Sequence, residues 1–98
     1  MHKRAYNGTV RVDWDGRKAA GNLSKHGIDF VDAVPVLFDE HSVTAVDERA
    51  GEHRSVTIGA DATGRVLVVV WMWRAGCVRI ISARMATPRE RRRFEEQR

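Results

Sequence analysis

The feature that most constrains the fold is residues 66–73, an unbroken apolar run of eight in the stretch RVLVVVWMW. A membrane-crossing helix needs about 20 such residues, so the run is far too short to span a bilayer. Eight residues suit a buried strand, and apolarity at nearly every position predicts a central strand covered on both faces. Turn-forming segments bracket it: DATG at 61–64 before it and RAGC at 74–77 after it. Beyond them, RSVTIGA at 54–60 and VRIISARMA at 78–86 read as neighbouring strands. SVTAV at 42–46 is a further strand, joined to 54–60 through the polar loop DERAGEH. Consecutive strands with short turns predict an antiparallel meander.

Helix signals lie on both sides of the meander. Residues 1–9 show no period and are expected to be a loose leader to a single domain over 10–98. VRVDW at 10–14 alternates like a half-buried strand. Asp15 then suits an N-cap, with Trp14 and Ala19 as a hydrophobic staple, for a helix over 16–26. Ala19, Ala20 and Leu23 would form its apolar side, with Lys18, Asn22 and Lys25 on another face. Asp29 caps a second helix over 30–38, with Phe30, Val34, Leu37 and Phe38 as its buried stripe. Pro35 should bend that helix or make it restart. Thr87-Pro88-Arg89-Glu90 is a capping box with proline at the first helical position. The helix it opens has one strong apolar residue, Phe94, and candidate supporting pairs Arg91–Glu95 and Arg92–Glu96.

At 98 residues, 43 % hydrophobic and 31 % charged, the chain has the composition of one ordinary soluble globular domain. The basic N-terminus lacks the apolar segment of a secretory signal, and the single cysteine, Cys77, excludes an intramolecular disulfide. A cytoplasmic protein is expected. The net charge of +4 is unevenly spread: residues 1–50 hold seven Lys/Arg against eight Asp/Glu, and residues 51–98 hold ten Arg against five. An arginine-rich half raises the expectation of a nucleic-acid or acidic-protein partner without choosing between them.

The chemistry is narrowed by what is missing. The four histidines are scattered singly, with no metal-ligand spacing. Walker, dinucleotide-binding and G-x-S-x-G motifs are missing too. No cofactor or metal is expected. What remains is a set of cations: Lys25 and His26 just before Gly27, then Arg54, Arg74, Arg79 and Arg84 among the strands. Lys25 and His26 suit a helix C-terminus, where Gly27 would end the helix. They also suit a metal-free ribonuclease, which needs a base for a ribose 2′-OH, an acid for the leaving 5′-oxygen and cations for the phosphorane. Strict alternation puts Arg84 on one face with Val78, Ile80 and Ser82, where an arginine needs an anionic partner or a cleft. Trp71 and Trp73 share a face of the most apolar strand and read as core more readily than as base-stacking residues.

These motifs resemble the BrnT family of bacterial toxins. The likeness rests on WDGRKAAGNLSKHGIDFVDAVPVLFDE, on IGADATGRVLVVV and on RIISARMATPRERRRFEEQR, and covers about residues 11–96. The resemblance implies an α+β fold like the RelE-type toxins, with two N-terminal helices on a small antiparallel sheet and a C-terminal helix. It implies a metal-independent ribonuclease toxin of a type II toxin–antitoxin system, neutralised by a ribbon-helix-helix antitoxin. DNA would be met only through the antitoxin complex, with no membrane partner and homo-oligomers possible. Carried over by position, Lys25, His26, Arg54 and Arg84 are the candidate catalytic residues. Arg74, Arg79, Arg89, Arg91, Arg92 and Arg93 are the candidate RNA-binding ones. The chain departs from the family pattern at Met85, where a second basic residue is usual, at Pro35, and in residues 1–9. A non-catalytic module binding antitoxin or nucleic acid on the same fold is the competing reading.

Overall fold

A computed structural model of the chain describes residues 2–7, 10–48 and 53–97. Its elements run β1 (His2–Asn7), β2 (Val10–Asp15), α1 (Gly16–His26), α2 (Phe30–Leu37), β3 (Val43–Asp47), β4 (Arg54–Ala60), β5 (Val66–Arg74), β6 (Cys77–Met85) and α3 (Pro88–Glu96). The expected polar loop after β3 falls partly on residues 49–52, outside the described residues. The strands form one sheet in the order β1-β2-β6-β5-β4-β3.

From β3 to β6 the sheet is the expected antiparallel meander. Two expectations fail at the other edge. The leader expected over 1–9 is strand β1 from His2 to Asn7, paired antiparallel with β2. Backbone hydrogen bonds alone can hold an edge strand, so it need not show the apolar alternation that would have marked it. The sheet is also not wholly antiparallel, because β2 runs parallel to β6 at Val12↔Val78 and Asp13↔Arg79. The long connection through both helices and three strands supplies the crossover that a parallel pair requires.

Helices α1 and α2 cover one face of the sheet. Val12, Trp14, Ile28, Phe30, Ala33, Val36, Leu67, Val69, Val78, Ile80 and Ala83 form the continuous core between them. Trp14 meets the Phe30 ring edge-on at 6.2 Å. In α2 the fully buried positions are Phe30, Ala33 and Val36, while Val34, Leu37 and Phe38 pack around their margin. Pro35 lies inside one uninterrupted helix rather than at a restart. The helix ends in a tightened turn, where Phe38 N–H and Asp39 N–H donate to the Pro35 and Val36 carbonyls in the i→i−3 pattern. Gly59 lies under α2, where a Cβ would stand 2.9 Å from the Val36 carbonyl oxygen, so close packing admits only glycine.

Helix α3 lies against the other face, whose described cover is partial. Cross-strand partners Val43↔Ile58, Ile58↔Val68 and Val68↔Arg84 make a row on that face. Phe94 is buried beside this row, and Val43, Ile58, Phe94, Glu90, Arg93 and Gln97 line a cleft of about 280 Å³. Strand β5 is accordingly covered on both faces only over its first half. Val66 to Val69 are buried, whereas Trp73 is 60 % exposed. The expectation that Trp73 belongs to the core is corrected: the strand outruns the helices that would cover it.

Candidate functional site

Helix α1 ends as its sequence dictates. The Asp15 carboxylate accepts from Arg17 and Lys18 N–H at the start, which lowers its pKa. Gly27 ends the helix in the left-handed region at φ 72°, and its N–H donates to the Leu23 carbonyl at 2.8 Å. Lys25 and His26 fill the last turn and are exposed. Their capping role is therefore real, and it leaves both side chains available.

The expected apolar side of α1 is wrong in a way that matters for these cations. Leu23 is 47 % exposed, Ala20 is exposed, and the buried residue of the helix is Asn22. The Asn22 Nδ2 donates to the Ala83 carbonyl at 2.8 Å and to the Ile28 carbonyl at 3.0 Å, and its Oδ1 accepts from Ala83 N–H at 3.1 Å. Strand β2 pairs with β6 only at Val78 and Arg79. The Asn22 amide thus takes the place of a strand peptide against β6 beyond the point where β2 leaves it. Lys25 and His26 follow Asn22 at i+3 and i+4, on the same side of the helix. The last turn of α1 is thereby pinned beside Ala83, one residue from Arg84.

The expected face of Arg84 also needs correction. Val70 pairs with Ser82 but Trp71 pairs with Ile80, so Ile81 is an extra residue in β6. Such a bulge reverses the alternation beyond it. Val78, Ile80 and Ala83 all face the α1/α2 core, and Arg84 falls on the α3 face, opposite Val78 and Ile80. The anionic partner that its position demanded is Glu90. The guanidinium donates to both carboxylate oxygens, at 2.8 and 3.0 Å, in a fork-on-fork pair. Glu90 Oε1 also accepts from Thr87 N–H while Thr87 Oγ1 accepts from Glu90 N–H, so the capping box of α3 is the clamp on Arg84. The Arg84 hydrogen bonds hold the Glu90 pKa down at about 2, and the same pair raises that of Arg84. Nothing in the sequence marked Glu90 beyond its capping-box position, and nothing marked Asn22 beyond its place on the helix face of Lys18 and Lys25.

The remaining candidates separate from this group. Arg54 opens β4 directly opposite Asp47 of β3. Arg79 sits opposite Asp13 of β2 and pairs with it at 3.4 Å. The Arg79 side chain is only 11 % exposed, so this residue ties strands together and is not an open contact for RNA. Arg74 is exposed at the end of β5, beside the β5–β6 turn. Arg89, Arg91, Arg92 and Arg93 are exposed on α3, Arg91 within 3.7 Å of Glu95. The candidates therefore do not converge: Lys25 and His26 lie on the α1 side of the sheet near Ala83, Arg84 and the α3 arginines lie at the same end of β6 but on the other face, and Arg54, Arg74 and Arg79 lie toward the other end. No group of three His, Cys, Asp or Glu side chains gathers in metal-binding geometry among the described residues. Among them, too, no helix is long and apolar enough to cross a membrane.

Comparison with known proteins places this arrangement. Residues 14–90 match the family described as the ribonuclease toxin BrnT of type II toxin–antitoxin systems. Among solved structures, the fold is similar to that of the Brucella abortus ribonuclease toxin BrnT, with a TM-score of 0.63 and 25 % sequence identity. The match covers 76 % of this chain and 92 % of that one. No match was found among curated proteins.

Proposed function

The chain belongs to the BrnT family of ribonuclease toxins of type II toxin–antitoxin systems, and from that premise we propose that it cuts RNA by metal-independent attack of a ribose 2′-OH on the adjacent phosphate. Lys25 and His26 share the proton transfers. One accepts the 2′-OH proton and the other donates a proton to the departing 5′-oxygen, leaving a 2′,3′-cyclic phosphate and a 5′-hydroxyl. Imidazole suits either role because its ordinary pKa lies near neutrality. Arg84, on the opposite face of the sheet and forked to Glu90, is assigned to holding α3, and the charge on the phosphorane oxygens falls to the cationic Lys25–His26 turn. The observation that carries this reading is the Asn22 clamp, which fixes the exposed Lys25–His26 turn against β6 at Ala83.

The α3 arginines, Arg89, Arg91, Arg92 and Arg93, bind the RNA backbone or the antitoxin. Arg54 lies apart from the Lys25–His26 turn, and we assign it to binding. A ribbon-helix-helix antitoxin, a RelE-like lineage and a cytoplasmic location complete the proposal. The competing reading, a binder without catalysis, draws on the occupation of Arg84 by Glu90. Purified wild type should degrade RNA in EDTA and leave 2′,3′-cyclic ends. The Lys25→Ala variant should cleave at least about 100-fold more slowly and be tolerated when expressed without antitoxin. Cleavage that requires a divalent ion, or products with 5′-phosphates, would overturn the mechanism. Harmless expression of the wild type without antitoxin would favour the binder.

A further inference from the structure

The β5–β6 hairpin carries a feature that the cleavage group does not use. Among the described tryptophans and phenylalanines Trp73 is the most exposed, at 60 %, and it stands at the end of β5 where helix cover has run out. It is held firmly. Its ring meets that of Trp71 edge-on, with centroids 5.8 Å apart and planes at 81°. The Trp71 Nε1–H donates to Thr57 Oγ1 at 2.8 Å, and the buried Thr57 hydroxyl shares a 2.7 Å hydrogen bond with that of Thr44. The backbone is constrained too. Arg74 pairs with Cys77 across a two-residue turn in which Ala75 has φ 52° and Gly76 φ 78°. Positive φ at both positions marks the tight turn that matches strand twist, and at alanine it carries a steric cost. Arg74 follows Trp73 at the hairpin tip, exposed and on the opposite face of the strand, and residues 51–98 carry ten arginines against five acidic residues.

We propose that Trp73 is a stacking site for an unpaired base of the RNA substrate, remote from the cleaved phosphate. The proposal rests on the ribonuclease reading above. A pre-positioned indole stacks on any base without reading its identity. Trp73 neighbours Val78 across the ladder, and Ala83, where the Asn22 clamp holds the Lys25–His26 turn, lies five positions further along β6, roughly 15 Å at strand rise. The base held at Trp73 therefore lies several nucleotides from the cleaved phosphate. RNA is the occupant that the ribonuclease reading supplies, and binding of a protein at the same indole is an outcome the test separates.

The test uses the full chain and a single-stranded 2′-O-methyl oligoribonucleotide of about 12 nucleotides, which cannot undergo 2′-OH attack. Binding should quench tryptophan fluorescence in the wild type. Trp73→Ala should lose most of the quenching and weaken binding about tenfold, with Trp73→Phe much less affected. With cleavable RNA, Trp73→Ala should raise KM for long substrates, leave kcat within about twofold, and leave cleavage of a dinucleotide unchanged. Circular dichroism would establish that the variants are folded. Unchanged affinity in Trp73→Ala overturns the stacking site while leaving the ribonuclease reading intact. Normal RNA binding by Trp73→Ala together with weakened antitoxin binding also overturns it, assigning the indole to the protein interface. A wild type that neither binds nor cuts RNA overturns both.

Discussion

The two faces of the sheet are stabilised by different means. Against α1 and α2 the contact is a continuous apolar core in which Phe30, Ile28, Leu67 and Ile80 are almost wholly removed from water. Against α3 the described anchors are one aromatic ring, Phe94, and one ion pair, Arg84–Glu90, whose side chains are 41 % and 30 % exposed. The first face holds the fold together. The second positions α3 with little to spare, because burying one phenylalanine contributes about 2 kcal/mol against the backbone entropy of nine ordered residues. A helix held in this way can be released without unfolding the rest.

The largest expected effect tests that contrast directly. Phe30→Ala should lower global stability by about 4 kcal/mol in denaturant unfolding, the cost of a large cavity in a core that cannot collapse around it. Phe94→Ala should cost only about 2 kcal/mol, because the chain can abandon the docking of α3 and no more than that docking can be lost. Hydrogen exchange should show α3 amides losing protection in Phe94→Ala while those of β5 keep theirs. Equal global losses in the two variants would show that the faces are not energetically distinct.

A change at the junction of α1 and β6 should be smaller but should reach activity. Asn22→Leu leaves the Ala83 N–H and two carbonyls without their partner and should cost about 2–3 kcal/mol. Asn22→Asp keeps the acceptor for Ala83 N–H but loses the donors. If the clamp orients Lys25 and His26, Asn22→Asp should reduce kcat far more than it raises KM in samples shown to be folded. A folded Asn22→Asp with wild-type kcat would separate the clamp from the chemistry.

The smallest effect concerns pH. The Arg84 hydrogen bonds lower the pKa of Glu90 from 4.5 to about 2. The folded value lies below the unfolded one, so the pair stabilises the fold above pH 4.5 and the contribution fades as pH falls from 4.5 toward 2. The full shift would be worth about 3 kcal/mol, but with both partners partly exposed solvent screening reduces it to about 1 kcal/mol. Glu90→Gln should remove that part of the acid sensitivity and loosen α3. An unchanged acid-unfolding profile would mean that the pair adds nothing to the hold on this face.

Much of this protein could be read from its sequence because the relevant forces are local. Asp15, Asp29 and Thr87 cap helices by bonding N–H groups two or three residues away, and Gly27 ends α1 through its own φ. The meander followed from apolar runs separated by turn residues, and the motif resemblance led to the family that residues 14–90 match. What escaped was set by partners distant in the chain. The hydropathy of Asn22 placed it outside, and only Ala83, 61 residues away, makes its burial favourable. One bulged residue, Ile81, moved Arg84 to the opposite face. Asp13 drew Arg79 out of solvent, and the length of β5 beyond its covering helices left Trp73 in it. Local pattern decides which element a residue joins. Pairing register and the extent of cover decide what its side chain meets, and these exist only once the sheet has formed.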